Sequence, residues 1–356
     1  MHVAVVHDNF QGPTGMGLVC ERLAQIVLDE GWRLTVVGTD VPERLRDQAE
    51  LRLVTRYDRL PALPQHIAWC TGAALALRHV NADVVHVHSP LLLPIADVLT
   101  AHFIAGPAHA RGVRETTTGV EGALRRAQEA VTRRIDAAAY RWGRGRRHIT
   151  FVSEFLRDEF RAHYGEPLGA EILPPPAPSW RPVTPEQRAA ARRRWSCNGG
   201  IVAGYMGGND PRKGLAAAQA LAAEPDLAPL IAGPGTEKTQ TGGRRGLGFV
   251  EPDAFIEACD VFLGPASFDS APVAVLQALS RGIPVAVSET SGWARAVERH
   301  GAGAVWRAGT PFADAVRRAA RADATACRAV AAEFSAEALR ERVVALYADV
   351  AARPRR

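Results

Sequence analysis

The chain has 356 residues, 47% of them apolar and 23% charged, with a formal net charge of +5. That length exceeds one ordinary core and suits two domains of about 150 residues each, and no apolar run approaches the roughly 20 residues that span a bilayer. Five scattered cysteines without a CxxC pair exclude a disulfide or cysteine–metal framework and read as reduced core thiols of a cytoplasmic protein, and the amino terminus lacks the basic start and long apolar stretch of a signal peptide.

Strand and helix signals alternate through the first half. His2–His7 reads as a strand and Leu18–Glu30 as a helix stopped by Gly31. Arg33–Gly38 and Leu51–Thr55 follow as strands, Gln65–Val80 as a helix, and Val84–His88 and Val98–Phe103 as strands. Leu124–Arg147 is a long Arg-rich helix, and His148–Ser153 a strand whose Ser153 is placed to cap the helix Glu154–Tyr164. Such alternation predicts βαβ units and a parallel sheet.

The stretch Pro174–Pro185 carries too many prolines for a helix or central strand and marks the domain boundary. A second series follows: strand Ile201–Met206, helix Gly214–Ala223, strand Pro229–Ala232, then Leu247–Val250 leading into a helix Pro252–Ala258. Strand Val261–Gly264, a Pro/Ser loop, an apolar-faced helix and strand Pro284–Val287 come next. A helix near Trp293–Arg299 and two or three Ala-rich helices from Thr310 close the chain. The fold class is therefore α/β, with two similar parallel-sheet domains in tandem. The expected divisions are 1–175, 176–335 and a carboxy-terminal helix, 336–356, that returns to the first domain.

Four groups of residues could carry chemistry. The loop Asp8–Gly17 is Gly-rich and opens a helix, which suits close approach to an anion, although it is neither GxGxxG nor followed by an acidic residue placed for a dinucleotide ribose. A plain tight turn is the alternative. In Tyr205–Gly214, Arg212 and Lys213 stand side by side at a helix entry, where two cations oppose the macrodipole unless an anion lies between them. The chain holds only two lysines, Lys213 and Lys238, so Lys213 points to a diphosphate site rather than a solvated turn. His86 and His88 share one face of a strand and read as hydrogen-bonded core residues, while His102 sits at a strand end where a ligand could reach it. The basic helix region, with Arg125, Arg126, Arg133, Arg134, Arg141, Arg144, Arg146 and Arg147, reads first as a solvated face. A peripheral contact with an anionic membrane is its alternative, and its few aromatics argue against nucleic acid.

Fixed pieces in fixed order carry a resemblance. They are the Gly-rich first loop, DVVHVHS at Asp83–Ser89, TAH ending at His102, FVSEFL at Phe151–Leu156, RKG at Arg212–Gly214, IAGPG at Ile231–Gly235, and ACDVFLGPASFD through LQALSRGIPV to Val285. Together they resemble the retaining glycosyltransferases of family 4, with the GT-B architecture of two facing Rossmann-like domains. The second half is most similar to the glucosyltransferases of lipopolysaccharide core assembly. That family places Glu-x7-Glu where this chain has Asp269 and Gln277, and Gly-Gly where it has Thr14-Gly15.

The resemblance implies transfer of a sugar, with retention of configuration, from a nucleotide-diphosphate sugar (a UDP-sugar first) to an envelope glycan or natural-product acceptor. It implies no metal and no other cofactor. Arg212 and Lys213 would grip the diphosphate, Gln277 would meet the ribose, and Asp269 would orient the sugar with the backbone of Ser270, Ala271, Pro272 and Val273. Gly207 would free the loop, Gly15 and Met16 would lie near the donor phosphate, and His102 near the sugar. The alternative is a GT-B protein that binds a nucleotide sugar or a partner without turnover.

Overall fold

The computed structural model describes residues 1–10, 15–113, 118–197 and 199–353. They form two compact units, Met1–Pro176 with Leu339–Arg356, and Ala177–Ala338.

The first unit contains β1 (His2–Val6), α1 (Gly15–Asp29), β2 (Arg33–Gly38), α2 (Glu43–Arg46), β3 (Glu50–Leu53), α3 (Ala62–Leu77), β4 (Val84–Val87), β5 (Val98–Ala101), α4 (Ala105–Ala110), α5 (Gly119–Gly143), β6 (His148–Phe151) and α6 (Glu154–Tyr164). Its six strands pair in parallel in the order β3-β2-β1-β4-β5-β6. Val3, Ala4, Val5 and Val6 are all buried, as befits a strand covered on both faces. The strand order reverses between β1 and β4, which pair at Val3↔Val84 and Val6↔Val87. The Ser153 side chain accepts from the Leu156 amide at 3.3 Å, the cap expected for α6.

The second unit contains α7 (Pro185–Arg194), β7 (Ile201–Met206), α8 (Leu215–Ala220), β8 (Leu227–Ala232), a hairpin of β9 (Gln240–Thr241) and β10 (Arg244–Arg245), α9 (Pro252–Ile256), β11 (Val261–Gly264), α10 (Val273–Ser280), β12 (Val285–Ser288), α11 (Ala294–His300), β13 (Gly303–Trp306), α12 (Phe312–Ala319) and α13 (Ala324–Glu333). Its five-stranded sheet is parallel in the order β13-β12-β11-β7-β8, and the order reverses between β7 and β11. Alternate strand residues feed two cores: Val202, Leu230 and Phe262 on one face, Ala203, Ile231, Val261 and Leu263 on the other.

The last helix, α14 (Ala336–Ala351), packs into the first unit. Leu339, Val343, Leu346, Tyr347 and Val350 recur at helical spacing and are buried against Val3, Val5, Val19 and Leu23. Each fully buried aliphatic of this kind contributes about 1.5–3 kcal/mol.

Several elements differ from the sequence expectation. α1 begins at Gly15, not Leu18, so Gly15 and Met16 belong to its first turn rather than to the loop. Gln11–Thr14, also part of that expected loop, lie outside the described residues. The proline-rich boundary runs straight into α7, where Thr184 and Gln187 form a capping box around Pro185 at the first helical position. β13, α2, α4 and the β9–β10 hairpin were not expected. Among the described residues no helix is long and apolar enough to cross a membrane. All five cysteines are free and buried.

Candidate active site

In an open α/β sheet, ligands sit beyond the carboxyl ends of the strands where the strand order reverses. In the second unit that point lies between the ends of β7 and β11. The chain leaves β7 through Gly207 and Gly208, turns at Pro211–Lys213, and enters α8 at Gly214. Gly214 has φ +79°, and a Cβ there would collide with the Pro265 carbonyl beyond β11. The Ser267 amide donates to the Arg212 carbonyl at 2.9 Å, so the two strand ends are stitched together. This stitching brings Lys213 and Asp269, 56 residues apart in sequence, to 2.6 Å between Nζ and Oδ2.

Asp269 is itself clamped. Its amide donates to Thr290 O at 3.2 Å and its carbonyl accepts from the Gly292 amide at 2.8 Å. The fully buried Trp293 donates from Nε1 to Pro272 O at 2.9 Å, which pins the entry to α10. Pro272 is the N-cap of α10 and supplies no capping side chain, leaving first-turn amides for a ligand. Ser270 is buried, and its Oγ has no hydrogen-bond partner among the described residues. Ala271 and Val273 are half-buried at the same turn, and Gln277 is half-buried within α10.

The two cations already have counter-ions, which corrects the expectation that only a ligand anion could relieve them. Arg212 donates from Nη2 to Asp210 Oδ2 at 2.7 Å, and from Nε to both carboxylate oxygens at 3.1 Å. The Arg212 hydrogen bond holds the Asp210 carboxyl below its ordinary range. Lys213 is paired with Asp269, whose side chain is only 14% exposed. Asp210 was missed in the sequence, although an aspartate two residues before an arginine in a Gly/Pro turn is a recognisable signal. Burial pushes the Tyr205 phenol up, and its hydroxyl donates to Gly208 O at 3.0 Å, which braces the loop.

In the first unit the reversal point gathers histidines. His7 follows β1, His86 and His88 lie on and after β4, and His102 follows β5. The His86 and His88 rings stack at 4.8 Å, and His7 meets His88 edge-on at 5.6 Å. His88 Nδ1 lies 2.8 Å from His102 Nε2. A one-way hydrogen-bond chain fixes His86. Thr150 Oγ1 can only donate to Leu99 O, at 3.3 Å, so the Thr100 hydroxyl donates to Thr150 Oγ1 at 2.7 Å. His86 Nε2–H then donates to Thr100 Oγ1, and Tyr347 of α14 donates to His86 Nδ1, each at 2.7 Å. Burial lowers His7 and His88 and takes His86 and His102 down to about 3, so these rings are neutral at pH 7.

Gly15 and Met16 open α1 and Met16 is exposed. On α5, Arg125 pairs with Glu121 at 2.7 Å and Arg133 approaches His109 at 3.0 Å, while Val120, Leu124 and Val131 are exposed. Among the described residues no group of three or more His, Cys, Asp or Glu is arranged to hold a metal ion.

Residues 13–176 match the model for Glycosyltransferase Family 4, and residues 202–322 the model for Glycosyl transferases group 1. A GDP-mannose-dependent alpha-mannosyltransferase of Mycolicibacterium smegmatis is 23% identical, covering 82% of this chain and 80% of its own. WaaG, a glycosyltransferase involved in lipopolysaccharide biosynthesis, superposes with a TM-score of 0.67 at 18% identity over 98% of both chains. Anabaena HepE, solved in complex with UDP-glucose, superposes with a TM-score of 0.70 at 15% identity, covering 98% of this chain and all of its own. The tandem family matches and the paired parallel sheets make this chain a GT-B glycosyltransferase of the family 4 type.

Proposed function

We propose that the chain transfers a hexosyl group from a nucleoside-diphosphate sugar to an acceptor hydroxyl, with retention of configuration and without a metal ion. The observation that carries the reading is the Lys213–Asp269 pair at the reversal point of the second sheet, beside the uncapped start of α10. An arriving diphosphate exchanges for the carboxylates on Lys213 and Arg212, and the freed Asp269 turns to the sugar hydroxyls. The α10 amides and the buried Ser270 hydroxyl add neutral donors to that anion, and Gln277 accepts from a ribose hydroxyl. As the bond from the anomeric carbon to the phosphate oxygen breaks, Lys213 and Arg212 stabilise the charge that develops on the leaving group. The acceptor oxygen forms the new bond on the same face, and its proton passes to the departing phosphate. His102, neutral, serves as a hydrogen-bonding group of the first unit rather than as an imidazolium.

The HepE complex makes UDP-hexose the first donor to test, and the mannosyltransferase relative makes GDP-mannose the second. Purified chain is incubated with UDP-, GDP-, ADP- and dTDP-sugars with and without EDTA, and released nucleoside diphosphate is measured. At least one donor releases its nucleoside diphosphate, EDTA leaves the rate unchanged, and, with a candidate acceptor added, NMR of the transfer product shows the anomeric configuration of the donor. Nucleotide binding without released sugar favours the second reading, a binding protein without turnover. The departures at Asp269 and Gln277 from the family pattern support that reading.

A further inference from the structure

We infer that His88 is a positioning residue that holds His102 in its Nδ1–H tautomer, so that His102 presents an N–H donor, and not a base, to a bound ligand. The inference deepens the reading of His102 as a sugar-site residue and rests on it for its kinetic consequence. The geometry stands without it.

The two rings share one proton across the 2.8 Å contact between His88 Nδ1 and His102 Nε2. Either His88 Nδ1–H donates and His102 carries its own proton on Nδ1, or His102 Nε2–H donates and His88 carries its own on Nε2. His88 Nε2 is buried and meets no hydrogen-bond partner among the described residues. The second arrangement therefore buries an orphan N–H, whereas the first buries only a bare lone pair. Orphan buried N–H groups are rarer in folded proteins than under-satisfied acceptors. The proton thus belongs to His88 Nδ1, and His102 keeps its hydrogen on Nδ1, the nitrogen that His88 does not engage.

Ring contacts fix the plane of His88. Its ring stacks on His86 and takes the edge of His7. His86 is itself locked by Tyr347 and Thr100, so the orientation is inherited from β5, β6 and α14. Both rings are neutral, so no second N–H stands against the first across the contact.

The test has two arms on the full chain. In ligand-free protein labelled with 15N-histidine, two-bond correlation spectra assigned through a His102→Gln variant report a pyrrole-type Nδ1 and a pyridine-type Nε2 for His102. In His88→Leu the His102 signals move to the other tautomer or to an average of the two. A wild-type His102 protonated on Nε2, or unchanged signals in His88→Leu, overturns the inference. In the second arm, His88→Leu lowers kcat about tenfold with a much smaller change in donor KM, the size of one hydrogen bond. His88→Asn, whose side-chain amide reproduces the Nδ1–H donor, recovers the larger part of that loss. Equal loss in both variants at unchanged melting temperature contradicts the positioning role. A chain with the stated tautomer that turns over no sugar nucleotide would remove the proposed function and leave the tautomer standing.

Discussion

Arg212, Lys213 and His86 show how much a residue's neighbours decide its chemistry. The chain's bias toward arginine made Lys213 stand out in the sequence, and the structure places it 2.6 Å from Asp269. What the sequence hid was the pairing within the site: the carboxylates that meet the cations lie 2 and 56 positions away. Only the close approach at Gly214 brings the distant one into reach. His86 illustrates the opposite cost. Burial keeps it neutral down to about pH 3, whereas an unfolded histidine protonates near 6.5. Between those values the unfolded chain binds more protons, so stability is complete above about pH 6.5 and falls as the pH drops through that window. At pH 5 the loss from this group alone is roughly 2 kcal/mol. His7, His88 and His102 are lowered too and add to the same slope. Urea unfolding at pH 7.5 and 5.0 checks this: His86→Gln shrinks the pH-dependent drop relative to the parent chain, and an identical drop in both would contradict it.

Among the elements, long periodic segments and buried apolar strands were legible, and short or chemically mixed ones were not. β2, β7 and β11 lie where their apolar runs placed them, because a strand covered on both faces has little choice of composition. α7 was missed because the density of prolines masked the Thr184–Gln187 capping box that starts it. β13 was missed because its sequence, GAVW, is short and begins with glycine; its strand character comes from pairing with β12. In α14 the apolar stripe shows that the helix packs and the first domain was its expected partner, while the residues it meets there are visible only in three dimensions. Tyr347 uses that packing to donate to His86 across 261 positions. Tyr347→Phe keeps the ring and leaves His86 Nδ1 buried without a donor, so it should cost about 1–3 kcal/mol in urea unfolding. A loss below about 0.5 kcal/mol would show that this hydrogen bond contributes little.

At the scale of the molecule, each unit is a parallel sheet with its own reversal point and its own core, and each reversal point gathers polar residues. In the first unit they are neutral histidines, suited to hydrogen-bonding an uncharged ligand. In the second they are two cations, each paired with a carboxylate, to which the proposed function assigns a diphosphate. The family matches run across both units in the same order. The direct measurement is calorimetric titration of UDP and GDP into the parent chain and into Lys213→Ala. The account predicts that the better-bound nucleotide loses about 1.5–3 kcal/mol, roughly a 10- to 150-fold rise in Kd, in the variant. An unchanged Kd would contradict the seat assigned to the diphosphate, and with it the role of the Lys213–Asp269 pair.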